Sequence, residues 1–246
     1  MAVPLGMIPY IDQPVVRIGP LTLHAFGALA AIAIVVARSV FLRRARVVGL
    51  DPVIMSKALV RAMVAGLAGG VLWSLAGGRL GISAVGVLGG GLIGFIAYFR
   101  ARAFSTIETA RALECGAFSL PFALALGRFG CALAHDHRGA YTNSLLAVRF
   151  PEGARYDLGL IEFWFMAVLS CAFLYLGRRD RGEGFFAGVF ALAYGCFRLW
   201  LESLRLNGPA HTGEIGAAAL LFFSLAALTF LRFRATPANA HGGFAR

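Results

Sequence analysis

The stretch 127–140, GRFGCALAHDHRGA, carries most of the side chains in this sequence that could do chemistry. Two arginines, two histidines and an aspartate fall within it, and it directly follows the apolar run SLPFALAL. Ionisable groups beside membrane-like sequence are costly, so their presence predicts a functional site. Forked guanidiniums suit phosphate, and imidazole and carboxylate suit proton transfer.

These residue types favour a reaction in which a phosphate leaves. Arginines at a membrane edge would bind a phospholipid phosphate and stabilise the charge that develops as it departs. A thiol nucleophile with an ordinary pKa of about 8.5 would need a base. The candidates for that base are His135, Asp136 and His137.

Two alternatives to a catalytic base stay open for this stretch. The first is an ordinary polar loop. The second is a metal site in which His135 and His137 are ligands and Asp136 or Asp157 completes the set, because alternate residues of an extended segment share a face. No further His or Cys stands at a recognisable ligand spacing, so the sequence predicts neither a metal nor another cofactor.

The composition predicts a polytopic membrane protein. Of 246 residues, 59% are hydrophobic and only 14% are charged, far fewer than the quarter or so of a soluble domain. The net charge of +11 could indicate a nucleic-acid partner, but the arginines stand at the ends of apolar runs. That placement favours membrane orientation and anionic lipid headgroups over nucleic acid.

Spans of about 20 apolar residues predict an all-α fold of about seven transmembrane helices. Basic clusters follow every odd-numbered helix, so the N-terminus is predicted outside and the C-terminus in the cytoplasm. We expect one transmembrane domain over 1–235 and a disordered tail over 236–246. The predicted helices are 21–42, 54–76, 83–100, 106–126, 159–177, 184–204 and 213–232.

Ionisable groups outside the opening stretch extend the predicted site. With this topology the outer loops 127–158 and 205–212 carry arginines against the orientation rule, which indicates a phosphate-bearing partner or ordinary loop solvation. Arg198 and Glu202 are four apart on one helix face and can pair. Glu162 opens a helix, where its charge also suits the helix dipole. His24 could equally be a buried core histidine.

Small residues and cysteines allow two further readings. The glycine-rich third helix, GVLGGGLIGFIAYF, would let another helix or a lipid headgroup approach its backbone closely. The four cysteines form no CxxC pair and are expected to be buried thiols, with Cys131 left open.

At these residues the chain resembles the bacterial prolipoprotein diacylglyceryl transferase family. IGPLTLHAFG (18–27) is similar to the family's IGP…LHWYG, and GGGLIG (89–94) to its HGGLIG. GRFG (127–130) matches the start of the signature GRxGNFxNGExxG, whose last glycine falls on Gly139. RYDLGLIE (155–162) is similar to RHPSQLYE, and AYGCFRLWLESLR (193–205) to YGxFRxxxExxR. These motifs occur in the family's order over most of the chain.

The resemblance implies a bacterial inner-membrane enzyme that moves the diacylglyceryl group of phosphatidylglycerol onto the lipobox cysteine of a prolipoprotein. Arg128 and Arg198 would hold the phosphate, with Glu202 orienting Arg198, and His135, Asp136 or His137 would supply the base. Other residues would bind the substrate. They are His24, Gly89, Gly90, Gly91, Gly139, Arg155, Glu162, Tyr194 and Arg205.

The sequence also departs from the family pattern at catalytic positions. The family histidine of HGG falls on Gly89, the two signature asparagines on Cys131 and Ala134, and the signature glutamate on Asp136. These departures keep two alternatives open. One is a membrane paralogue that binds lipid or a partner without catalysis, and the other is a transferase with a different donor or acceptor.

Overall fold

A computed structural model describes residues 8–78, 80–179 and 181–205. Six helices form most of this part of the chain, and five short strands accompany them. The helices are α1 Ala25–Val47, α2 Pro52–Ala76, α3 Ala84–Ala101, α4 Thr106–Ala134, α5 Leu158–Leu176 and α6 Phe185–Glu202. The strands are β1 Val15–Ile18, β2 Leu21–His24, β3 Arg138–Tyr141, β4 Ala147–Phe150 and β5 Gly153–Asp157.

Within the described ranges, five helices are long and apolar enough to cross a membrane, namely α1, α2, α4, α5 and α6. The apolar part of α3 is shorter, over Val85–Ala101. A mostly helical chain with several such helices is consistent with an integral membrane protein. The predicted seventh helix, 213–232, and the tail lie outside the described residues. The orientation and the single domain over 1–235 stay predictions.

The described part of the chain is mostly helical, as predicted, but the prediction of an all-α fold missed two small sheets. β1 and β2 form an antiparallel hairpin, with Val15 opposite His24, where the first helix was expected to begin. β3, β5 and β4 form an antiparallel sheet in that order, within the expected loop 127–158. Strands of four or five residues contain too few alternating apolar and polar positions to be recognised in so apolar a sequence.

The fourth helix is longer than predicted. It continues through GRFGCALA to Ala134, so Arg128 and Cys131 are helical and do not lie in a loop. The helix ends where His135 adopts a left-handed conformation, with φ of 52°. Gly130 is accommodated because Phe26 packs against it, with the ring Cδ2 3.1 Å from the point that a Cβ would occupy. Packing therefore overrides the weak helix preference of this glycine.

The described residues divide into two compact units. The first contains the hairpin, the three-stranded sheet, α5, most of α1 and parts of α4 and α6. Its described residues are 8–41, 119–178 and 196–205. The second contains α2, α3 and the remaining segments of α1, α4 and α6.

In the second unit, glycines allow α2 and α3 to approach closely, as the small-residue run predicted. A Cβ on Gly86 would overlap the carbonyl oxygen of Gly69, and one on Gly90 would overlap that of Ala65. No larger residue fits at either position without moving the backbone. Gly89 differs, because a Cβ there would meet no described atom within 4 Å apart from the adjacent backbone of its own helix.

Candidate functional site

The end of α4 and the beginning of α5 meet in the first unit. Asp157 caps α5, since its Oδ1 accepts a hydrogen bond from the backbone N–H of Leu160 at 3.1 Å. Two residues further on, Gly159 passes close to α4, where a Cβ would lie 3.0 Å from the backbone nitrogen of Ala132. The absence of a side chain at Gly159 therefore lets the first turn of α5 lie against the last turns of α4.

This close approach brings Glu162 between two arginines. Its Oε1 lies 3.0 Å from Nε of Arg128 on α4, and its Oε2 lies 3.3 Å from Nη1 of Arg198 on α6. The Glu162 side chain is only 2% exposed, and the arginines are 22% and 16% exposed. One buried carboxylate thus joins two guanidiniums, which leaves one positive charge in excess among the three groups.

The partner of Arg198 differs from the predicted one. Arg198 donates a hydrogen bond to Glu162, whereas Glu202 lies beside Arg205, with its Oε2 2.9 Å from Nε. That second contact is an ion pair without the alignment of a hydrogen bond. The helical spacing of Arg198 and Glu202 therefore did not predict which acid orients Arg198.

His135 is buried, and both of its ring nitrogens have partners. Nδ1 lies 2.7 Å from Oδ2 of Asp157, and Nε2 lies 3.0 Å from the carbonyl oxygen of Ile11. A carbonyl can only accept, so Nε2 carries a hydrogen. Tyr10 stacks on the ring and Phe150 meets it edge-on. These contacts give His135 a structural role at the end of α4.

The buried carboxyl group of Asp157 holds the His135 ring in place. Burial raises the pKa of the Asp157 carboxyl above its ordinary value, and the hydrogen bond with His135 acts in the opposite direction. Its two oxygens serve different helices, because Oδ1 caps α5 and Oδ2 binds His135 after α4. The sequence suggested Asp157 only as a possible metal ligand and missed this double role.

Asp136 and His137 follow the left-handed turn and are more exposed. Oδ1 of Asp136 lies 3.7 Å from Nε2 of His137, whose side chain is 38% exposed. Burial lowers the pKa of the His137 imidazole, and the charge of Asp136 opposes that shift. The backbone carbonyl of His137 accepts a hydrogen bond from Leu158 N–H at 3.0 Å, which ties this residue to the start of α5.

Cys131 lies beside this pair. Its Sγ, a carboxylate oxygen of Asp136 and a ring nitrogen of His137 all lie within 4.8 Å of one another. Cys131 is one helical turn beyond Arg128 on α4, and Arg128 and Glu162 exert their charges on His137. The Cys131–Asp136–His137 cluster is therefore adjacent to the arginine pair.

A cavity of about 380 Å³ opens at the same end of α4. His24, at the end of β2, and Asp136 both line it. His24 is exposed, so the alternative of a buried core histidine is wrong. Of the three residues of the Cys131–Asp136–His137 cluster, Asp136 lines this cavity.

The sheet and the end of α6 position other predicted residues. A Cβ on Gly139 would lie 2.8 Å from the carbonyl oxygen of Leu204, and Gly139 forms an isolated bridge with Arg205. Close packing thus explains a glycine at this position. Arg155 stacks over the Tyr141 ring, 3.9 Å from its centroid, and also donates a hydrogen bond to the Tyr141 hydroxyl.

Four predicted substrate-binding residues belong to the second unit, namely Gly89, Gly90, Gly91 and Tyr194. Tyr194 is buried and stacks with Phe190. Gly90 serves the packing of α3 against α2, as described above. Their roles in substrate binding stay predictions.

Two positioning residues were not predicted from the sequence. Gly159 permits the contact between α4 and α5, and Ile11 supplies a carbonyl to His135. The pattern of Asp157 followed two positions later by Gly159, before an apolar run, could have predicted the contact at Gly159. Nothing in the spacing connects Ile11 with His135, because the residues are 124 apart.

The long apolar helices, together with a buried carboxylate shared by two arginines, are consistent with a helical integral membrane protein that has an ionic centre. The family model described as prolipoprotein diacylglyceryl transferase matches residues 13–233. The chain belongs to this family.

Curated relatives carry the same description. A phosphatidylglycerol–prolipoprotein diacylglyceryl transferase of Frankia alni is 29% identical over 229 residues, which cover 81% of this chain and 59% of the relative. Another, of Frankia casuarinae, is 27% identical and covers 82% and 56%. One of Gloeobacter violaceus is 27% identical and covers 65% and 64%. The chain thus spans a little over half the length of the two Frankia relatives.

Proposed function

We propose that this protein transfers a diacylglyceryl group from phosphatidylglycerol to the lipobox cysteine of a prolipoprotein, in the bacterial inner membrane. The observation that carries the proposal is the carboxylate of Glu162 between Arg128 and Arg198. Family membership and the names of the relatives support the reaction class.

The arginine pair is suited to the donor phosphate. Three buried or half-buried groups with one excess positive charge form a favourable place for a monoanionic phosphodiester. Glu162 holds the two guanidiniums in position before the lipid arrives, so less reorganisation is needed on binding. As the carbon–oxygen bond to the phosphate breaks, the same guanidiniums stabilise the charge that develops on the leaving oxygen.

The acceptor thiol must be activated, and we assign this to Asp136 and His137. Asp136 lines the cavity together with His24, and the charge of Arg128 acts on His137. His135 does not suit the role of base because its ring nitrogens are occupied by Asp157 and Ile11. Arg155, Arg205, Gly139 and Tyr194 would contribute to substrate binding.

Turnover of phosphatidylglycerol and a lipobox peptide tests this proposal. The full chain in phosphatidylglycerol nanodiscs should add a diacylglyceryl group to the peptide, detected by mass spectrometry. Arg128→Gln and Arg198→Gln should each lower the rate about 100-fold or more. Arg111→Gln is the matched control, since this exposed arginine pairs with Glu183 and should leave the rate unchanged.

A second candidate is a membrane protein that binds the lipid without transferring it. Gly89, in place of the family histidine, is the observation that favours it. This candidate predicts that phosphatidylglycerol copurifies with the wild type and is lost from Arg128→Gln, while no peptide is modified. Peptide modification by the wild type excludes it.

A further inference from the structure

The Cys131–Asp136–His137 cluster combines three side chains that zinc prefers. Thiolate sulfur, carboxylate oxygen and imidazole nitrogen are the usual protein ligands of this ion. The three ligand atoms lie within 4.8 Å of one another. In a tetrahedral site such atoms lie roughly 3.3–3.8 Å apart, given metal–ligand distances of about 2.0–2.3 Å. Side-chain adjustments of about 1 Å would therefore complete the site.

The backbone around the cluster is held by contacts that involve neither Arg128 nor Arg198. The left-handed residue His135 reverses the chain after α4, so that Asp136 and His137 return toward Cys131. Asp157 and Ile11 hold the His135 ring, and the carbonyl of His137 is bound by the start of α5. Supporting contacts of this kind orient the first ligands of a metal site.

We propose that Cys131, Asp136 and His137 bind a divalent metal ion of the zinc class, and that the metal holds the acceptor thiol in its fourth position. Three protein ligands with one open position are the pattern of catalytic zinc sites, whereas structural sites use four. Asp136 lines the cavity from which a thiol could reach the open position. The catalytic part of this inference rests on the proposed transferase function.

Metal binding would activate the acceptor thiol without the family histidine, which falls on Gly89 in this chain. A thiol that coordinates such a metal is deprotonated, so no separate base of matched pKa is required. Cys131 is one turn of α4 from Arg128, so the bound thiolate would lie beside the donor phosphate. The same three residues thereby activate the acceptor next to the groups that hold the donor.

The transfer step balances without a redox partner. The acceptor thiol gives its proton to water as its sulfur binds the metal. The sulfur lone pair attacks the carbon of the diacylglyceryl group that is attached to a phosphate oxygen, a carbon–sulfur bond forms, and the bond between that carbon and that oxygen breaks. The bonding pair stays on that oxygen, and glycerol phosphate leaves past Arg128 and Arg198. An oxygen of the departing glycerol phosphate takes up a proton from water, which balances the proton released by the thiol.

Cobalt binding by the untagged full chain in nanodiscs tests the site directly. We expect about one cobalt ion per chain, with a thiolate-to-cobalt charge-transfer band that is absent from Cys131→Ser and weaker in His137→Ala. Cys171→Ser is the matched control, because this exposed cysteine on α5 is not in the cluster, and its spectrum should equal that of the wild type. Addition of a lipobox peptide should intensify the band as a second thiolate binds.

Two measurements separate the metal site from the transferase function. Zinc should raise the melting temperature of the wild type and not that of Cys131→Ser. Chelation should lower turnover at least tenfold, and zinc should restore it. Spectra and melting temperatures require no turnover, so they test the site even if the proposed reaction fails.

Some results would overturn the inference. A wild type that binds no cobalt, or binds it equally after Cys131→Ser, excludes the metal site whether or not peptide is modified. Full turnover after complete chelation excludes activation of the thiol by the metal and leaves the transferase function standing. A bound metal without any turnover supports the site and contradicts the proposed function.

Discussion

Nδ1 of His135 lies 2.7 Å from Oδ2 of Asp157, and this contact joins the residue that ends α4 to the residue that caps α5. Both side chains are buried. The pair therefore ties the end of α4, the helix that carries Arg128, to the start of α5, the helix that carries Glu162. We infer that the pair acts on the site through geometry and not through proton transfer.

Replacement of Asp157 tests this structural role. Asp157→Ala removes the α5 cap, worth about 1 kcal/mol, and leaves Nδ1 of the buried His135 without a partner, at a further cost of about 1–3 kcal/mol. Asp157→Asn retains an oxygen for the cap and a polar group for His135, so its loss should be well under half as large. Thermal unfolding in detergent measures both changes.

Asp51→Ala is the matched control for the cap alone. Asp51 caps α2 through a 2.7 Å hydrogen bond from Val53 N–H, and that bond is exposed. We expect a loss of about 1 kcal/mol. Equal effects of Asp157→Ala and Asp51→Ala would show that the contact with His135 contributes nothing to stability.

Glu162→Gln should reduce both stability and turnover. The substitution conserves size but leaves two neighbouring guanidiniums without their shared negative charge, and removing one partner from a buried ionic group costs about 3 kcal/mol or more. Chemical unfolding and the peptide assay measure the two effects. In the exposed Arg111–Glu183 pair, Glu183→Gln should cost no more than about 1 kcal/mol. Similar costs at the two positions would contradict the central role of Glu162.

The sequence predicted the helices far better than the contacts between them. Runs of apolar residues are a direct signal, and six of the predicted spans correspond to helices in the described part of the chain. Helix ends were less predictable. The fourth helix was predicted to end at 126, where the apolar run ends, yet α4 continues through GRFG to Ala134, and Phe26 packs against Gly130.

The candidate site was predicted in its residues but not in its pairing. Arg128, Arg198 and Glu162 were all identified, yet spacing along one helix favoured Glu202 as the partner of Arg198. A contact between helices depends on how closely their backbones approach, and here Gly159 decides that. Likewise, His135 and His137 appeared equivalent in sequence, and only the turn at His135 separates a buried residue from a half-exposed one.

Gly139 should not tolerate a side chain. A Cβ there would lie 2.8 Å from the carbonyl oxygen of Leu204 and 2.9 Å from Cβ of Tyr156, so Gly139→Ala should lower the melting temperature through overpacking worth about 1–3 kcal/mol. Gly116→Ala on α4 is the control, because a Cβ there meets no described atom within 4 Å. That substitution should raise stability by about 0.5–1 kcal/mol. A stable Gly139→Ala variant would show that β3 can move away from Leu204.

Gly89→His tests whether the position that the family resemblance assigns to a histidine can still serve as the base. A Cβ at Gly89 meets no described atom within 4 Å apart from the adjacent backbone of its own helix. Replacing a helical glycine also reduces the backbone entropy that is lost on folding, so the variant should fold. After chelation of the metal, we expect it to modify the lipobox peptide at least about 100-fold faster than the chelated wild type, because a positioned base contributes that much.

The neighbouring position supplies the control for Gly89→His. In Gly90→His the new Cβ would overlap the carbonyl oxygen of Ala65, so α3 would have to move away from α2 and the melting temperature should fall. A Gly89→His variant that folds like the wild type but stays inactive after chelation would contradict the equivalence of Gly89 to the family histidine. Recovered turnover would show that an imidazole at position 89 can replace the metal-loaded Cys131–Asp136–His137 cluster in the deprotonation of the acceptor thiol.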